Sequence, residues 1–313
     1  NDPATPGIYP LSLHDALPIW DESAPAMVPI KFDAGNSQLI QNEQLDSLLA
    51  RSPALIIFNP VDRLGSHSVI RQLQAARVPV IFFNREPLAA DLALWEKSWY
   101  VGARAEQSGQ LQASLVMDLF GGDPGRLNEY DRNGDGSIQA IILKGEQGHQ
   151  DAEIRTREVL RSFEKNGSKV DVLAVEIANW NRDEAYTKMA RLIREFQGRM
   201  ALVVSNNDAM ALGAISMMRQ AGLFQDTNRN GRIDRNDARW VPVVGIDGLE
   251  EAEKAIAEGY LYGTVKNDSL SMAKAIVELA GVALGRIDPA DAVYPPEDGK
   301  YIWIDYRPFV SEE

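Results

Sequence analysis

The chain has 313 residues, 45% of them hydrophobic and 25% charged, which is enough to bury the cores of two ordinary domains and is not the composition of a disordered chain. Its formal net charge of −13 argues against nucleic acid as a partner, because phosphate recognition needs a basic surface. The absence of cysteine excludes disulfides, thiolate metal sites and a cysteine nucleophile, and no apolar run reaches the length of about 18 residues that suggests a membrane span.

Residues 1–24 form an atypical leader that is rich in proline and has neither the basic segment nor the apolar core of a signal peptide. The segment resembles translated sequencing-adapter sequence; the alternative is a genuine but irregular leader. We leave it out of the fold prediction.

From residue 26 onward, short β-branched runs alternate with amphipathic stretches of helical length. The predicted strands are 26–32, 54–59, 78–84, 138–145, 170–177, 201–206, 240–247 and 260–267. The predicted helices are 37–52, 66–77, 107–120, 152–167, 182–196, 208–222 and 249–259. Apolar strands that alternate with helices predict an α/β fold with parallel sheets covered on both faces, and so many units favour two doubly wound sheets.

Polar side chains follow most of these strands, at the edge where open α/β sheets bind ligands. They are Asn84, His149, Asp151, Trp180, Asn207, Asp208, Asp247, Asn267 and Asp268. A single Asn or Asp at such a place usually caps a helix or makes a turn, and a single Trp usually belongs to the core. Taken together, the set favours a polar cleft.

Asp151 and Arg155 are spaced i,i+4 and therefore share a helix face. Arg155 offers a planar fork of donors, the Asp and Asn oxygens accept from hydroxyl groups, and Trp180 offers a flat apolar face. This combination is typical of a sugar site; the alternative for Asp151 and Arg155 is a solvated ion pair on a helix surface.

No catalytic constellation is evident in the sequence. There is no credible Ser-His-Asp set, and neither a dinucleotide-binding nor a phosphate-binding glycine motif is present. Asp151 and Asp247 could form the carboxylate pair of a glycoside hydrolase, but Arg155 would keep Asp151 ionised rather than able to donate a proton. We therefore expect a binding protein and not an enzyme.

Two segments have the spacing of calcium loops. The first site would use Asp131, Asn133, Asp135, the Ser137 carbonyl and Gln139, with Gly136 at the sharp turn, but its twelfth position is Ile142 rather than a carboxylate. The second would use Asp226, Asn228, Asn230, the Arg232 carbonyl, Asp234 and Asp237. The alternative for the second is an Asx-rich turn. Structural Ca²⁺ is the cofactor that we expect.

From about residue 26 to 290 the chain resembles the periplasmic galactose/glucose-binding proteins of ABC sugar importers. The resemblance is carried by QNEQLDSLLA, VPVIFFNREP, the first calcium loop with LKGEQGHQDAEIRT, SNNDAMALGA, VVGIDGLEEA and GTVKND. It implies a hinged fold whose N-terminal lobe comprises 25–104 and 267–294 and whose C-terminal lobe comprises 105–266 and 295–313, with the sugar between them. The implied sugar contacts are Asn84, His149, Asp151, Arg155, Trp180, Asn207, Asp247 and Asn267.

The sequence departs from the family in two places. The family's first strand and helix, which bring an Asp and an aromatic residue to the sugar, are missing, so we expect weakened or lost sugar binding, with Trp20 as a poor substitute. The family's distant calcium-binding Glu corresponds to Ala201, so we expect the first calcium site to be weakened.

The resemblance implies an extracytoplasmic protein, in the periplasm or on the outer surface, that passes D-galactose or D-glucose to the permease of an ABC importer. It implies a chemotaxis receptor as a second partner, and we expect a monomer. A sugar-responsive regulator is the alternative, disfavoured because the chain has no basic N-terminal helix-turn-helix segment. A glycoside hydrolase is the third possibility.

Overall fold

The computed structural model describes residues 30–131, 133–196 and 198–311. These divide into two compact units. The larger comprises Arg104–Asn267 and residues 305–311, and the smaller comprises residues 30–103 and Asp268–Ile304. The leader, Trp20 and most of the first predicted strand lie outside the described residues, and residues 30–32 form no strand.

The smaller unit contains a parallel four-stranded sheet in the order β1-β2-β3-β9. Its strands are β1 (Ile56–Phe58), β2 (Val80–Phe83), β3 (Ser98–Gly102) and β9 (Tyr301–Trp303). Its helices are α1 (Gln38–Leu49), α2 (Ser66–Ala76), α3 (Ala89–Leu92) and α9 (Ser269–Ala283), with short 3-10 helices at Arg63–Gly65 and Pro289–Asp291.

Both faces of the smaller sheet are covered by apolar side chains. Val80 and Phe82 of β2 pack into one cluster, with Leu73 of α2, whereas Ile81 packs into a second cluster with Ile276 of α9. Successive strand side chains point to opposite faces, so a continuous apolar run is what a strand buried on both sides requires.

The larger unit contains a six-stranded sheet in the order β10-β8-β7-β6-β4-β5. The parallel strands are β4 (Ile138–Lys144), β5 (Val170–Ile177), β6 (Leu202–Ser205), β7 (Val243–Asp247) and β8 (Gly263–Lys266), and β10 (Arg307–Val310) pairs antiparallel with β8. The helices are α4 (Ala105–Leu119), α5 (Gln150–Lys165), α6 (Arg182–Phe196), α7 (Asp208–Gln220) and α8 (Glu250–Ala257). Every residue of β4 is buried, since the strand has β5 on one side and β6 on the other.

The expected boundaries differ in three places: Arg104 and Asn267 were expected in the smaller lobe but belong to the larger unit, and the last boundary lies further along the chain. Residues 295–304 were expected in the larger lobe, but they belong to the smaller unit because β9 pairs in parallel with β3, Tyr301 opposite Tyr100 and Trp303 opposite Gly102. Only the segment from Asp305 onward belongs to the larger unit. Among the described helices, none has the length and apolar character needed to cross a membrane.

Candidate functional site

The larger unit brings most of the predicted binding residues to one edge of its sheet, where the parallel strands end. His149 and Asn207 are the N-caps of α5 and α7, and Asp247 is the last residue of β7. Asp151 and Arg155 lie on α5, Trp180 follows β5, and Asn267 follows β8. The carboxyl ends of parallel strands meet at the same edge, which is why residues far apart in sequence come together here.

Arg155 is the most fully enclosed charge in this group, with 5% of its surface exposed. Its Nη1 donates to the Asn206 carbonyl oxygen at 2.7 Å and to Asp247 Oδ1 at 3.4 Å, and its Nη2 donates to the Tyr306 hydroxyl at 3.1 Å. Nη2 also lies 3.5 Å from Asp151 Oδ2. Burial by itself lowers the pKa of Arg155, but Tyr306 and the two carboxylates outweigh it, so the pKa is raised and the guanidinium stays charged.

Trp180 is held in an unusual backbone conformation, with φ of 62° after Asn179 with φ of 49°. Its indole packs directly on Gly145, where an added Cβ would lie 2.3 Å from the ring. The Arg155 guanidinium lies 5.6 Å from the Trp180 ring centroid, and the His149 ring meets the indole edge-on at 5.2 Å. Trp180 is buried, with 8% of its surface exposed, and belongs to the core cluster of the larger unit. Strained backbone at non-glycine residues clusters at functional sites.

Several buried polar atoms in this region have no hydrogen-bond partner among the described residues. They include Arg155 Nε, Trp180 Nε1 and Asn267 Oδ1. Because buried polar groups are nearly always hydrogen-bonded, two donors and an acceptor left over in one region point to a polar ligand. Asn207, by contrast, already uses its amide: Oδ1 accepts from Met210 N at 3.0 Å, and Nδ2 donates to the Trp180 carbonyl at 3.4 Å.

Two aspartates at this edge, Asp208 and Asp247, have raised pKa values. Burial raises the pKa of Asp247 to about 6, although Arg155 opposes the shift. Burial, together with Asp247, raises the pKa of Asp208 to about 8. Asp208 follows a strand in the sequence, but only the structure shows that its carboxyl group is fully buried.

Tyr306 is the residue that sequence reasoning missed. It follows β9, a strand that the sequence pattern does not predict, so no strand-end signal marks it. It is buried, its ring centroid lies 6.0 Å from the Arg155 guanidinium carbon, and burial raises its pKa to about 12.

Asn84 lies in the smaller unit, directly after β2. Its backbone is left-handed, with φ of 62°, and its carbonyl accepts from the Tyr100 hydroxyl at 3.0 Å. Its side chain donates to Asn59 Oδ1 at 3.4 Å.

The two predicted calcium loops share one hydrogen-bond pattern. In the first, Asp131 accepts from Gly136 N at 2.8 Å; in the second, Asp226 accepts from Gly231 N at 2.8 Å. In both loops, the side-chain oxygens at the third and fifth positions each accept a hydrogen bond from the backbone N–H group two residues later. Within the described chain, no group of three or more His, Asp or Glu residues is arranged to hold a metal, so any cation would depend on Asn, Gln and carbonyl oxygens.

The first loop lacks a carboxylate at the expected distant position. Ala201 N donates to the Gln139 carbonyl at 2.9 Å, so position 201 does lie beside the loop, but it carries only a methyl group. In the second loop, Asp237 accepts from Thr227 N at 2.6 Å and from Asp234 N at 3.0 Å. These backbone bonds outweigh burial and lower the pKa of Asp237, which stays ionised.

Parallel α/β units that gather polar side chains at the carboxyl ends of their strands have the arrangement of a ligand-binding protein. Residues 22–286 match the model of the periplasmic binding protein domain, and the chain belongs to this family.

The chain is 34% identical over 249 residues to the D-galactose/methyl-galactoside binding periplasmic protein MglB of Haemophilus influenzae, covering 79% of this chain and 69% of that protein. It is 27% identical over 252 residues to a putative rhizopine-binding protein of Rhizobium meliloti, covering 79% of this chain and 71% of that protein. These relatives are binding proteins, which agrees with the prediction that the chain is not an enzyme.

Solved structures share the fold. A solute-binding protein of Bacillus halodurans with bound myo-inositol is 26% identical, with a TM-score of 0.66, and the match covers 89% of this chain and 82% of that one. A solute-binding protein of Actinobacillus succinogenes with bound D-allose has a TM-score of 0.70 at 19% identity, covering 89% and 84%, and supports the fold alone.

Proposed function

We propose that this chain is an extracytoplasmic solute-binding protein that captures a hexose, D-galactose or D-glucose, and delivers it to the membrane subunits of an ABC importer. The observation that carries the proposal is the arrangement around Arg155. Its buried guanidinium lies beside the carboxylates of Asp151 and Asp247 and near the indole of Trp180. The 34% identity to a D-galactose/methyl-galactoside binding relative supports the choice of ligand.

The chemistry of the site suits a sugar. Arg155 Nε and Trp180 Nε1 can donate to ring or hydroxyl oxygens, while Asn267 Oδ1 and the Asp151 and Asp247 carboxylates can accept from hydroxyl groups. The indole offers a flat apolar face for the C–H surface of the ring.

Isothermal titration with a ligand panel tests the proposal. D-galactose and D-glucose are expected to bind, and D-allose, myo-inositol and xylitol to bind more weakly. Arg155→Ala is expected to weaken hexose binding by at least about tenfold, since it removes a charged donor from a buried site. Arg161→Ala is the matched control, because that side chain is 72% exposed on the same helix and pairs only with Glu158 in the described chain.

The proposal would be wrong if neither hexose bound while myo-inositol or xylitol did, which would make the chain a receptor for another polyol. It would also be wrong if Arg155→Ala and Arg161→Ala bound hexose alike.

For partners, we propose a monomer that contacts the permease and, as a second partner, a chemotaxis receptor. Stimulation of the reconstituted transporter's ATPase activity by sugar-loaded protein tests the first contact. Sedimentation velocity tests the monomer, and binding of the sugar-loaded protein to a receptor's extracytoplasmic domain tests the second contact.

We also propose that structural Ca²⁺ binds the loop of residues 226–237 and, more weakly, the loop of residues 131–139. The shared hydrogen-bond pattern of the loops and the lowered pKa of Asp234 and Asp237 support this. Affinity for calcium follows the number of charged oxygen ligands, of which the second loop has more.

A further inference from the structure

Asp208 connects three elements of the larger unit through one buried carboxyl group. It is the first residue of α7 and is 0% exposed. Its Oδ2 accepts the backbone N–H groups of Gly248 at 2.7 Å and Leu249 at 2.9 Å, and the Thr264 hydroxyl donates to Oδ1 at 2.7 Å. The helix start, the turn after β7 and strand β8 are therefore joined at one side chain.

The carboxyl group of Asp208 packs directly against the backbone of β7 at Gly245. A Cβ added at Gly245 would lie 2.0 Å from Asp208 Oδ1, so only glycine fits at that place in β7. The turn that Asp208 bonds is itself unfavourable: Asp247 has φ of 122°, where non-glycine residues are strained, and Gly248 has φ of 77°. Such a conformation persists only where its surroundings hold it.

We propose that Asp208 is a positioning residue for the ligand site, because its carboxyl group holds the Asp247–Leu249 turn in the backbone conformation that places the Asp247 carboxylate beside Arg155. The proposal rests on the proposed function in one respect, namely that Asp247 contacts the bound sugar. Asp208 itself, being fully buried behind the turn, acts on the ligand only through Asp247.

The electrostatics agree with this geometry. Burial and the adjacent Asp247 raise the pKa of Asp208 to about 8, so the group is largely a neutral acid at neutral pH. A neutral acid still accepts at Oδ2 from both amides, and it avoids a second negative charge next to Asp247. Other charged groups near the turn are Arg155, which lies 3.4 Å from Asp247, Asp151, whose charge helps to raise the pKa of Asp247, and Lys266, whose ammonium pairs with Glu253.

The first test is an NMR titration of the ligand-free protein and of Asp208→Asn. An amide hydrogen-bonded to a carboxyl group shifts when that group ionises, so the amide protons of Gly248 and Leu249 should titrate together in the unmodified protein. Asp208→Asn copies the neutral acid in shape but cannot ionise, so this step should vanish, leaving only any smaller step from Asp247. Identical titration curves in the two proteins, or no step at these amides in the unmodified protein, would overturn the proposal.

The second test is hydrogen exchange of the ligand-free protein and of Asp208→Ala. Loss of both acceptors should make the Gly248 and Leu249 amides exchange at least about tenfold faster while the amides of β6 keep their protection. Asp183→Ala is the matched control, since Asp183 occupies the first turn of α6 and is exposed. Unchanged exchange in Asp208→Ala would contradict the proposal, and the NMR titration decides the matter if that variant does not fold.

Hexose titration of the same proteins tests the connection to the ligand. Asp208→Ala should weaken binding by about tenfold, but should add little in an Asp247→Ala background, because a residue that acts through another has no separate effect. Equal losses in both backgrounds would overturn the positioning role. If the unmodified protein bound no hexose, the proposed function would fail, while the two ligand-free experiments would still decide how the turn is held.

Discussion

The guanidinium of Arg155 shows how a single residue can organise the site. Its two terminal nitrogens are fixed by Asp247, Tyr306 and a backbone carbonyl, which leaves Nε as the buried donor without a partner among the described residues. The sequence indicated Arg155 and Asp151 through their spacing and Asp247 through its place after a strand. It gave no indication of Tyr306, which contacts Arg155 because the chain enters the larger unit again at Asp305.

Replacing Tyr306 with Phe tests its part in fixing Arg155. The hydroxyl that accepts from Arg155 Nη2 at 3.1 Å is lost, while the ring that packs on the guanidinium remains. We expect hexose affinity to fall about threefold to tenfold, the usual net contribution of one hydrogen bond. Calorimetric titration measures this.

Tyr186→Phe is the matched control, since it removes a hydroxyl that bonds only to Gln220 in the described chain. Equal affinities for Tyr306→Phe and the unmodified protein would show that Asp151, Asp247 and the Asn206 carbonyl suffice to fix Arg155.

The raised pKa of Asp247 predicts a pH dependence of binding. A carboxylate accepts from sugar hydroxyls better than a neutral acid does, and burial places the pKa of Asp247 at about 6. Hexose affinity should therefore fall as the pH decreases through about 6, by up to about tenfold per pH unit below it. Titrations between about pH 5 and pH 7.5 measure the profile. Asp247→Asn should bind hexose more weakly, and its affinity should not depend on pH in this range. If the affinity of this variant still fell at low pH, a group other than Asp247 would be responsible.

Among the elements, most of those with strong local patterns were predicted. The predicted helices and the strands between residues 54 and 267 match observed elements to within a few residues at their ends. By contrast, the strands β3, β9 and β10 and the helices α3 and α9 were missed. SWYVG and YIW are too short to show a period, and β9 becomes a strand only because Gly102 and its neighbours pair with it.

The calcium loops provide a prediction at the scale of an element. Ala201 N bonds to the Gln139 carbonyl, so Ala201→Glu places a carboxylate next to the first loop. We expect this substitution to tighten calcium binding there by about tenfold or more, since affinity follows ligand charge and number. Calorimetric titration with CaCl₂ of an Asp226→Ala background, which weakens the second loop, isolates the first. Ala201→Gln is the control, and equal affinities for the Glu and Gln variants would show that position 201 does not reach the ion.

Across the whole molecule, the chain builds each unit from segments that are separate in sequence. It passes from the smaller unit to the larger between Ala103 and Arg104, returns at Asp268, and enters the larger unit again at Asp305. The family resemblance predicted these three passages but put the last one near residue 295, since the sequence carries no local signal that residues 301–303 form a strand. Parallel topology then explains why the candidate site residues of the larger unit could be predicted to lie at one edge: strand ends of one sheet share an edge whatever lies between them.

The buried acid Asp208 predicts how the stability of the whole molecule responds to pH. Its pKa rises from an ordinary value of 3.8 to about 8 in the folded protein. Between these values the folded state holds a proton that the unfolded state has released, so this group makes the free energy of unfolding decrease as the pH rises, by up to about 1.4 kcal/mol per pH unit. Asp208→Asn carries no such proton and should lack this contribution. Urea unfolding of both proteins at about pH 5, 6.5 and 8 should therefore show the variant gaining stability relative to the unmodified protein at each step. Asp247 titrates in both proteins, so to first order its contribution cancels from the difference between their free energies of unfolding. If that difference stayed constant with pH, the Asp208 carboxyl group would be ionised throughout this range.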